Sequence, residues 1–423
     1  MNNKNSREIS SKKTLISAFF VHGIVEIPYF IFPVIIVLIE KDLSKNLGEF
    51  TWLGLGSIGT VAALASGLPS PIFGWLADRY RCGLMMTVSL ILGSFGAFVV
   101  GLWGKNFSLL LIGIAFTGLG NSLYHPPGLS FVSEAFIDPE SQRYSSKYNR
   151  ILGIHGVGGT IGASTGPLSV FFFIEFFSFD WQQIYLIWSP FLILIALIFW
   201  ISVARYEPKV ELLSQTDQKL DNSEGNRENT KVIGNIKSLY IVFIFMFAMS
   251  LTWGMISFIL APILTEYKDF SVSMAALFVG SSHLIAASGQ LAGGVMGDKY
   301  SEKIALSFAA SLQLGIIIGI FHLDVYIVLF LLYILLRIVN SMFWPLTNSL
   351  LAKSSTHRGS AFGWFMLIVN TVRAVGPSVD GLIISFAPNS YFWIFTIASI
   401  FSLLAIISMQ FVKNPDVTAS TQS

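Results

Sequence analysis

Gly74-Trp75-Leu76-Ala77-Asp78-Arg79-Tyr80-Arg81-Cys82-Gly83 is a short charged turn between two long apolar runs. A near-copy returns as Gly294-Val295-Met296-Gly297-Asp298-Lys299-Tyr300-Ser301-Glu302-Lys303, with Asp78 and Asp298 220 residues apart in a chain of 423. A second pair stands at almost the same offset. Asn121-Ser122-Leu123-Tyr124-His125-Pro126 and Asn340-Ser341-Met342-Phe343-Trp344-Pro345 are 219 residues apart. Gly166-Pro167 and Gly376-Pro377 form a third, partial echo. Two independent matches at one offset point to a duplicated chain with two related halves.

The length alone would allow two or three soluble domains. The composition rules that out: hydrophobic residues make up 53% and charged residues 12%, against about 25% charged in soluble domains. The mean hydropathy is +0.68. Apolar runs long enough to cross a bilayer recur along the whole chain. Twelve are expected, near 15–39, 50–72, 84–103, 107–135, 149–174, 182–203, 238–264, 272–296, 304–321, 324–352, 359–386 and 390–411. Barrel strands would be much shorter and would alternate. The first run is too long for an ordinary signal-peptide core and is read as a retained span. A net charge of +2 makes no case for nucleic-acid binding, and the single cysteine, Cys82, excludes an intrachain disulfide and a cysteine metal cluster.

The expected fold is therefore an all-α membrane protein of twelve transmembrane helices in two pseudo-symmetric six-helix bundles. Residues 1–203 form the N-terminal bundle and 238–413 the C-terminal one. Residues 204–237 form a mixed-charge linker unsuited to a core, and 414–423 a loose tail. Of the 26 Lys and Arg residues, Arg337 and Arg373 fall inside spans; Lys41, Lys45, Lys105 and Lys268 lie on one side and the remaining 20 on the other. The positive-inside rule then places both termini in the cytoplasm of a multi-pass cell-membrane protein.

Ionisable groups inside spans are costly and mark candidate function. His22 and Glu26 are four apart on one face of span 1, so their side chains can meet. Asn121 and His125 repeat that spacing in span 4. His155 lies early in span 5 among closely spaced glycines, and His283 sits mid-span in span 8. A coupled carboxylate–histidine pair is a reasonable proton carrier. Clustered histidines could also suggest a metal, but proton or polar-solute handling is the favoured reading and no metal site is assigned. Arg337, Asn340 and Trp344 share a face of span 10, as do Asn370 and Arg373 in span 11. A buried guanidinium wants a carboxylate or phosphate. Asp380 is the candidate partner for Arg373, and Glu26, across the cavity, for Arg337; otherwise an anionic solute completes them. No strand precedes the Gly153–Gly159 run and no Gly-Lys-Ser/Thr follows it, so a nucleotide loop fails. No catalytic residue and no cofactor is expected.

The two Gly-x-x-x-Asp loops, at equivalent places in a twelve-span chain, resemble those of the major facilitator superfamily. The resemblance implies that Gly74 permits close helix contact and that Asp78 and Arg79 belong to a charge network at a cytoplasmic gate, with lesser roles for Gly294, Asp298 and Lys299. Arg81 and Cys82 depart from the usual loop, standing where glycine and a basic residue are common. His22, Glu26 and Pro33, with Tyr124-His125-Pro126, resemble the fosmidomycin-resistance branch, with Glu26 in place of that branch's usual aspartate. The resemblance implies a secondary transporter working by alternating access around a cavity lined by spans 1, 4, 7, 8, 10 and 11. Its partners would be a small polar or anionic organic solute, protons and membrane lipid, and it would act as a monomer. Proton-coupled efflux through Glu26, His22 and His125 is the first expectation, with Arg337, Arg373, Asn121, Asn340, Trp344, Asn370 and His283 contacting the solute. Proton-coupled uptake is the alternative, and a non-transporting sensor on a transporter scaffold is the alternative from another class.

Overall fold

A computed structural model describes residues 10–47, 51–138, 144–207, 236–262, 264, 270–322, 326–355, 357–386 and 392–412. The central linker residues 208–235, the tail from 413 and the side chain of Asp380 lie outside the described residues.

The chain runs through α1 (Ser11–Leu47), α2 (Thr51–Gly67), α3 (Ser70–Ala77), α4 (Cys82–Trp103), α5 (Phe107–Glu134), α6 (Tyr148–Phe177) and α7 (Trp181–Ser202). It continues through α8 (Ile236–Pro262), α9 (Val272–Tyr300), α10 (Glu302–His322), α11 (Tyr326–Ser354), α12 (Arg358–Phe386) and α13 (Phe392–Gln410). These are the twelve expected spans, with one correction: the second is two helices. The break falls at Leu68-Pro69. Pro69 and Pro71 lack the N–H groups a continuous helix would use, so α2 stops at Gly67 and α3 restarts at Ser70. Ten spans are long and apolar enough among the described residues to cross a membrane. The other two are α8, whose described apolar stretch is Tyr240–Ile256, and α12, which carries Asn370 and Arg373 into the interior. Large apolar side chains such as Phe176, Ile327 and Ile72 stand exposed on the outer surface. That face suits lipid, where the same patches on a soluble protein would drive aggregation.

Each half packs on itself. In the first, α1 lies against α6, and α4 against α5 and α7; in the second, α8 lies against α12 and α13, and α10 against α11 and α13. Between the halves the main contacts are α6 with α9, and α12 with α2 and α3. Both crossings depend on glycine. A Cβ at Gly74 would strike the carbonyl oxygen of Gly359 and come within 3.0 Å of the Gly363 Cα. A Cβ at Gly294 would lie 2.8 Å from the Asn149 oxygen and 2.9 Å from the Arg150 Cα. Only a residue without a side chain lets these backbones meet.

Candidate functional site: a polar cavity between the halves

A cavity of about 170 Å³ lies between the halves. His22, Glu26, Asn121, His125, His283, Arg337, Asn340, Trp344, Asn370 and Arg373 all line it. Four helix faces thus converge on one space, although each was read from its own spacing.

The N-terminal wall is built around Glu26, which is only 6% exposed. Its Oε1 lies 3.0 Å from His125 Nε2 and 3.5 Å from His22 Nε2. Its Oε2 accepts from Asn121 Nδ2 at 2.9 Å. His22 and Glu26 are neighbours on one helix face, and Asn121 and His125 present the matching face of α5. His22 Nδ1 sits 3.2 Å from the His155 carbonyl oxygen. That nitrogen must therefore carry a hydrogen, since a carbonyl can only accept. In a neutral His22 ring the Nε2 is then a lone pair facing a carboxylate. One added proton at His22 Nε2 turns this into a donated, charge-assisted hydrogen bond. His22 Nε2 is thus one atom of the cluster that can hold a proton, beside the Glu26 carboxylate itself.

His155 supports this arrangement from α6. It is 1% exposed, stacks on the His22 ring at 4.6 Å and bonds Tyr124 Oη through Nε2 at 2.9 Å. The Tyr124 hydroxyl donates to the Ala18 carbonyl at 2.9 Å, so His155 Nε2 is the donor to Tyr124. Sequence spacing places His155 in a span but gives no sign that it would stack on His22. The Nε2 atoms of His22 and His125 and one Glu26 oxygen lie within 4.8 Å of one another. The set is compact enough for a metal ion, but the Glu26 contacts just described also satisfy it with protons alone.

The C-terminal wall is positive. Arg337, on α11, is 6% exposed and lies over the Trp253 ring at 4.1 Å. Its Nε has no hydrogen-bond partner among the described residues. The expected Glu26–Arg337 pairing is not formed: the carboxylate is held by His22, His125 and Asn121, and the guanidinium is stacked on Trp253. Arg373 enters from α12 and His283 from α9, with His283 Nδ1 donating to the Val279 carbonyl at 2.8 Å.

The repeated loops lie on one face of the molecule and join the halves there. Asp78 accepts from the Gly359 N–H at 2.7 Å, the Ser360 N–H at 2.9 Å and Ser360 Oγ at 2.5 Å. It caps the first turn of α12, where unpaired N–H groups and the helix dipole favour an anion. Asp298 does the same for α6, accepting from the N–H groups of Asn149 at 3.0 Å and Arg150 at 3.3 Å, with Arg150 Nε at 3.6 Å. Both aspartates therefore meet helix N-termini of the other half. Arg79 makes no bridge to the other half among the described residues: it bonds the Trp75 carbonyl and covers the Trp75 ring. Lys299 is likewise exposed and lies over its neighbour Tyr300.

Three further contacts on this face carried no sequence signal. Tyr144 Oη donates to the Ala352 carbonyl at 3.1 Å and receives Arg358 Nε at 2.5 Å, strapping the α5–α6 loop to the other half. Glu302 Oε1 gathers Asn149 Nδ2, Ser349 Oγ and Lys353 Nζ. In the first half, Cys82 occupies the place of Glu302, and its N–H donates instead to Glu207. Glu207 also accepts from the Gly83 N–H at 2.7 Å. Burial pushes the Glu207 carboxyl up to about 7, against the pull of those two donors.

Replacing Asp78 or Asp298 by Asn should loosen this face. Hydrogen bonds to a charged group contribute about 1.5–3 kcal/mol each way, so each single variant should shift the halves and the double variant should shift them further. Spin labels at Tyr80→Cys and His357→Cys, in a Cys82→Ser background, report the separation. Distances unchanged in the double variant would remove the two carboxylates from the closing contact.

The Major Facilitator Superfamily profile matches residues 15–249 and 242–423, which is essentially the whole chain. The chain belongs to the Major Facilitator Superfamily. Among curated members it is 22% identical over 271 residues to the fosmidomycin resistance protein of Escherichia coli (strain K12), a match covering 64% of this chain and 63% of that one. It is 26% identical over 152 residues to the riboflavin transporter RibZ of Clostridioides difficile (strain 630), covering 36% and 30% respectively. The matched stretches thus span less than two thirds of these relatives. The fold also superposes on the crystal structure of the human organic anion transporter MFSD10 (TETRAN) with a TM-score of 0.69, at 16% identity, over 95% of this chain and all of that one. Family membership and the run of apolar helices make the chain a multi-pass membrane protein of that family's fold.

Proposed function

We propose that this protein is a secondary transporter that moves a small organic anion against protons, exporting the solute by alternating access. The observation that carries the reading is the division of charge across the cavity. An acid–histidine cluster lies on one wall, and a buried arginine whose Nε has no partner among the described residues lies on the other. Arg337, with Arg373 nearby, would take the anionic group by charge-assisted hydrogen bonds. Asn340, Asn370 and His283 would orient its polar atoms, and Trp344 would bound its apolar part. Glu26, with His22 and His125, would carry the proton.

A proton at the cluster and an anion at the arginines each bring charge into a low-dielectric space where the other wall is fixed. Exchange follows if the two ligands favour opposite states of the halves. The excess of Lys and Arg supports a cytoplasmic position for the Asp78–Asp298 face, and the likeness to a resistance protein supports export as the direction. The protein would work as a monomer in the cell membrane. The relatives' names, a resistance protein and an organic anion transporter, agree with this class of cargo.

The test is reconstitution in proteoliposomes with an imposed pH gradient and labelled phthalate, citrate, riboflavin and fosmidomycin as cargo. Anion flux should follow the gradient and acidify or alkalinise the lumen in proportion, read with a trapped pH dye. Solute flux without proton movement would end the proton-coupled reading, and flux confined to riboflavin, the uncharged member of the panel, would end the anion reading.

A further inference from the structure

A chain of buried side chains runs from the C-terminal half to Glu26. Asn370 on α12 donates from Nδ2 to Ser66 Oγ at 3.2 Å and to the Ser66 carbonyl at 3.3 Å. Ser66 Oγ donates to Asn121 Oδ1 at 2.9 Å. Asn121 Nδ2 donates to Glu26 Oε2 at 2.9 Å. Ser66 is 0% exposed, Asn121 3%, Glu26 6% and Asn370 8%, so these groups are largely withdrawn from water.

The polarity of every link is set by the next. With its hydrogen given to Asn121, the Ser66 hydroxyl is an acceptor and so receives Asn370. With its oxygen taken by Ser66, the Asn121 amide can present only N–H to Glu26, which favours the carboxylate over the carboxylic acid, whose carbonyl oxygen is the weaker acceptor. The link between the halves is its Asn370–Ser66 step. It sits at the break between α2 and α3, where a Cβ on Gly67 would lie 2.9 Å from Thr371 Oγ1 and 3.2 Å from Asn370 Cβ. The Ser66 carbonyl has a second donor, Ser70 Oγ at 3.0 Å, so losing Asn370 strands only the hydroxyl.

We propose that Asn370, Ser66 and Asn121 are positioning residues that transmit the contact between the halves to Glu26, holding it ionised while α12 is seated against the α2–α3 break. When α12 withdraws, the Ser66 hydroxyl is free to turn and the Asn121 amide to rotate. The amide then offers its oxygen to the proton of a neutral Glu26. One residue set thus favours the carboxylate in one state of the halves and the acid in the other, which is the differential interaction that coupling requires. The other charged or titratable groups around Glu26 are His22 and Tyr29 on its own helix, Tyr124 and His125 on α5, His155 behind them on α6, and His283, Arg337 and Arg373 across the cavity. None of these bridges the two halves to Glu26 by a described hydrogen bond. The inference rests on Glu26 as the proton carrier.

The test needs no cargo. Cysteines at Tyr80 and His357, in the Cys82→Ser background, are joined by a short bis-maleimide to hold the halves together. The carboxylic-acid band of Glu26 is then read by infrared spectroscopy at fixed pH and identified by its loss in Glu26→Gln. Crosslinking should lower the ratio of protonated to ionised Glu26 by about tenfold, the loss expected of one hydrogen bond to a charged group. In Ser66→Ala the ratio should be the same with and without the crosslink. Asn370→Ala should behave likewise, and the double variant should add nothing, since both break one chain. A crosslink-dependent band that survives in Ser66→Ala, or in Asn370→Ala should the former not fold, would overturn the relay while leaving Glu26 as carrier. A titrating band untouched by Glu26→Gln would overturn the carrier assignment and the relay together.

Discussion

Glu26→Gln should abolish solute-linked proton movement, reducing the proton flux per solute to the background of protein-free vesicles. Glu26 is the one carboxylate among the described residues lining the cavity. His125 and His22 converge on its Oε1, and Asn121 occupies its Oε2. An amide at this position keeps the size and can still hydrogen-bond, but it cannot accept a proton near neutral pH or balance an imidazolium. His22→Asn should have a smaller effect. It removes the nitrogen facing Glu26 at 3.5 Å but leaves His125 in contact at 3.0 Å. The measurement is the lumenal pH change per labelled anion in proteoliposomes. A ratio in Glu26→Gln equal to that of the unmodified protein would assign the proton path elsewhere.

The second large effect is expected at Arg337. Removing one partner of a buried, hydrogen-bonded charge pair costs about 2–5 kcal/mol, so Arg337→Gln should weaken anion binding by roughly thirtyfold or more. Loss of the stacking on Trp253 contributes too, at about 0.5–2 kcal/mol. The two are separated by Arg337→Lys, which keeps the charge but loses the planar fork. That variant should fall between the parent and the Gln variant for an anionic cargo. Binding by equilibrium dialysis with labelled phthalate, and with whichever panel member moves fastest, gives the affinities. Equal affinity in all three proteins would make Arg337 a structural cation whose role is to pack on Trp253.

The span order and the polar residues of the cavity could be read from the chain because both rest on local spacing. Runs of apolar residues report a helix through lipid, and positions three or four apart share a face, so His22 with Glu26, Asn121 with His125, and Arg337 with Asn340 were legible without knowing their neighbours. What could not be read were contacts between distant segments. Asp78 meets Gly359 and Ser360 across 281 and 282 residues, and no spacing rule reaches that far. The resemblance pointed to charge partners for Asp78, whereas the first partners are backbone N–H groups, which carry no side-chain signature. Ser66 was invisible for a related reason. An isolated serine in an apolar run is common, and its importance comes only from lying between Asn121 and Asn370. The broken second span was hinted at by Pro69 and Pro71, but prolines are tolerated in membrane helices, so their presence alone did not decide where the helix stops.

The two capping aspartates are exchanged between the halves. Asp78 of the first half caps the helix beginning at Arg358 in the second, and Asp298 of the second caps the helix beginning at Tyr148 in the first. Residue meets residue in the manner of an isologous interface, in which one patch serves both partners of a twofold dimer. A six-span ancestor carrying one such loop and one such helix start would have closed against a second copy of itself by these same bonds. The kinship of the halves is thus kept at this face, while the two walls of the cavity differ, one carrying Glu26 and its histidines and the other the arginines.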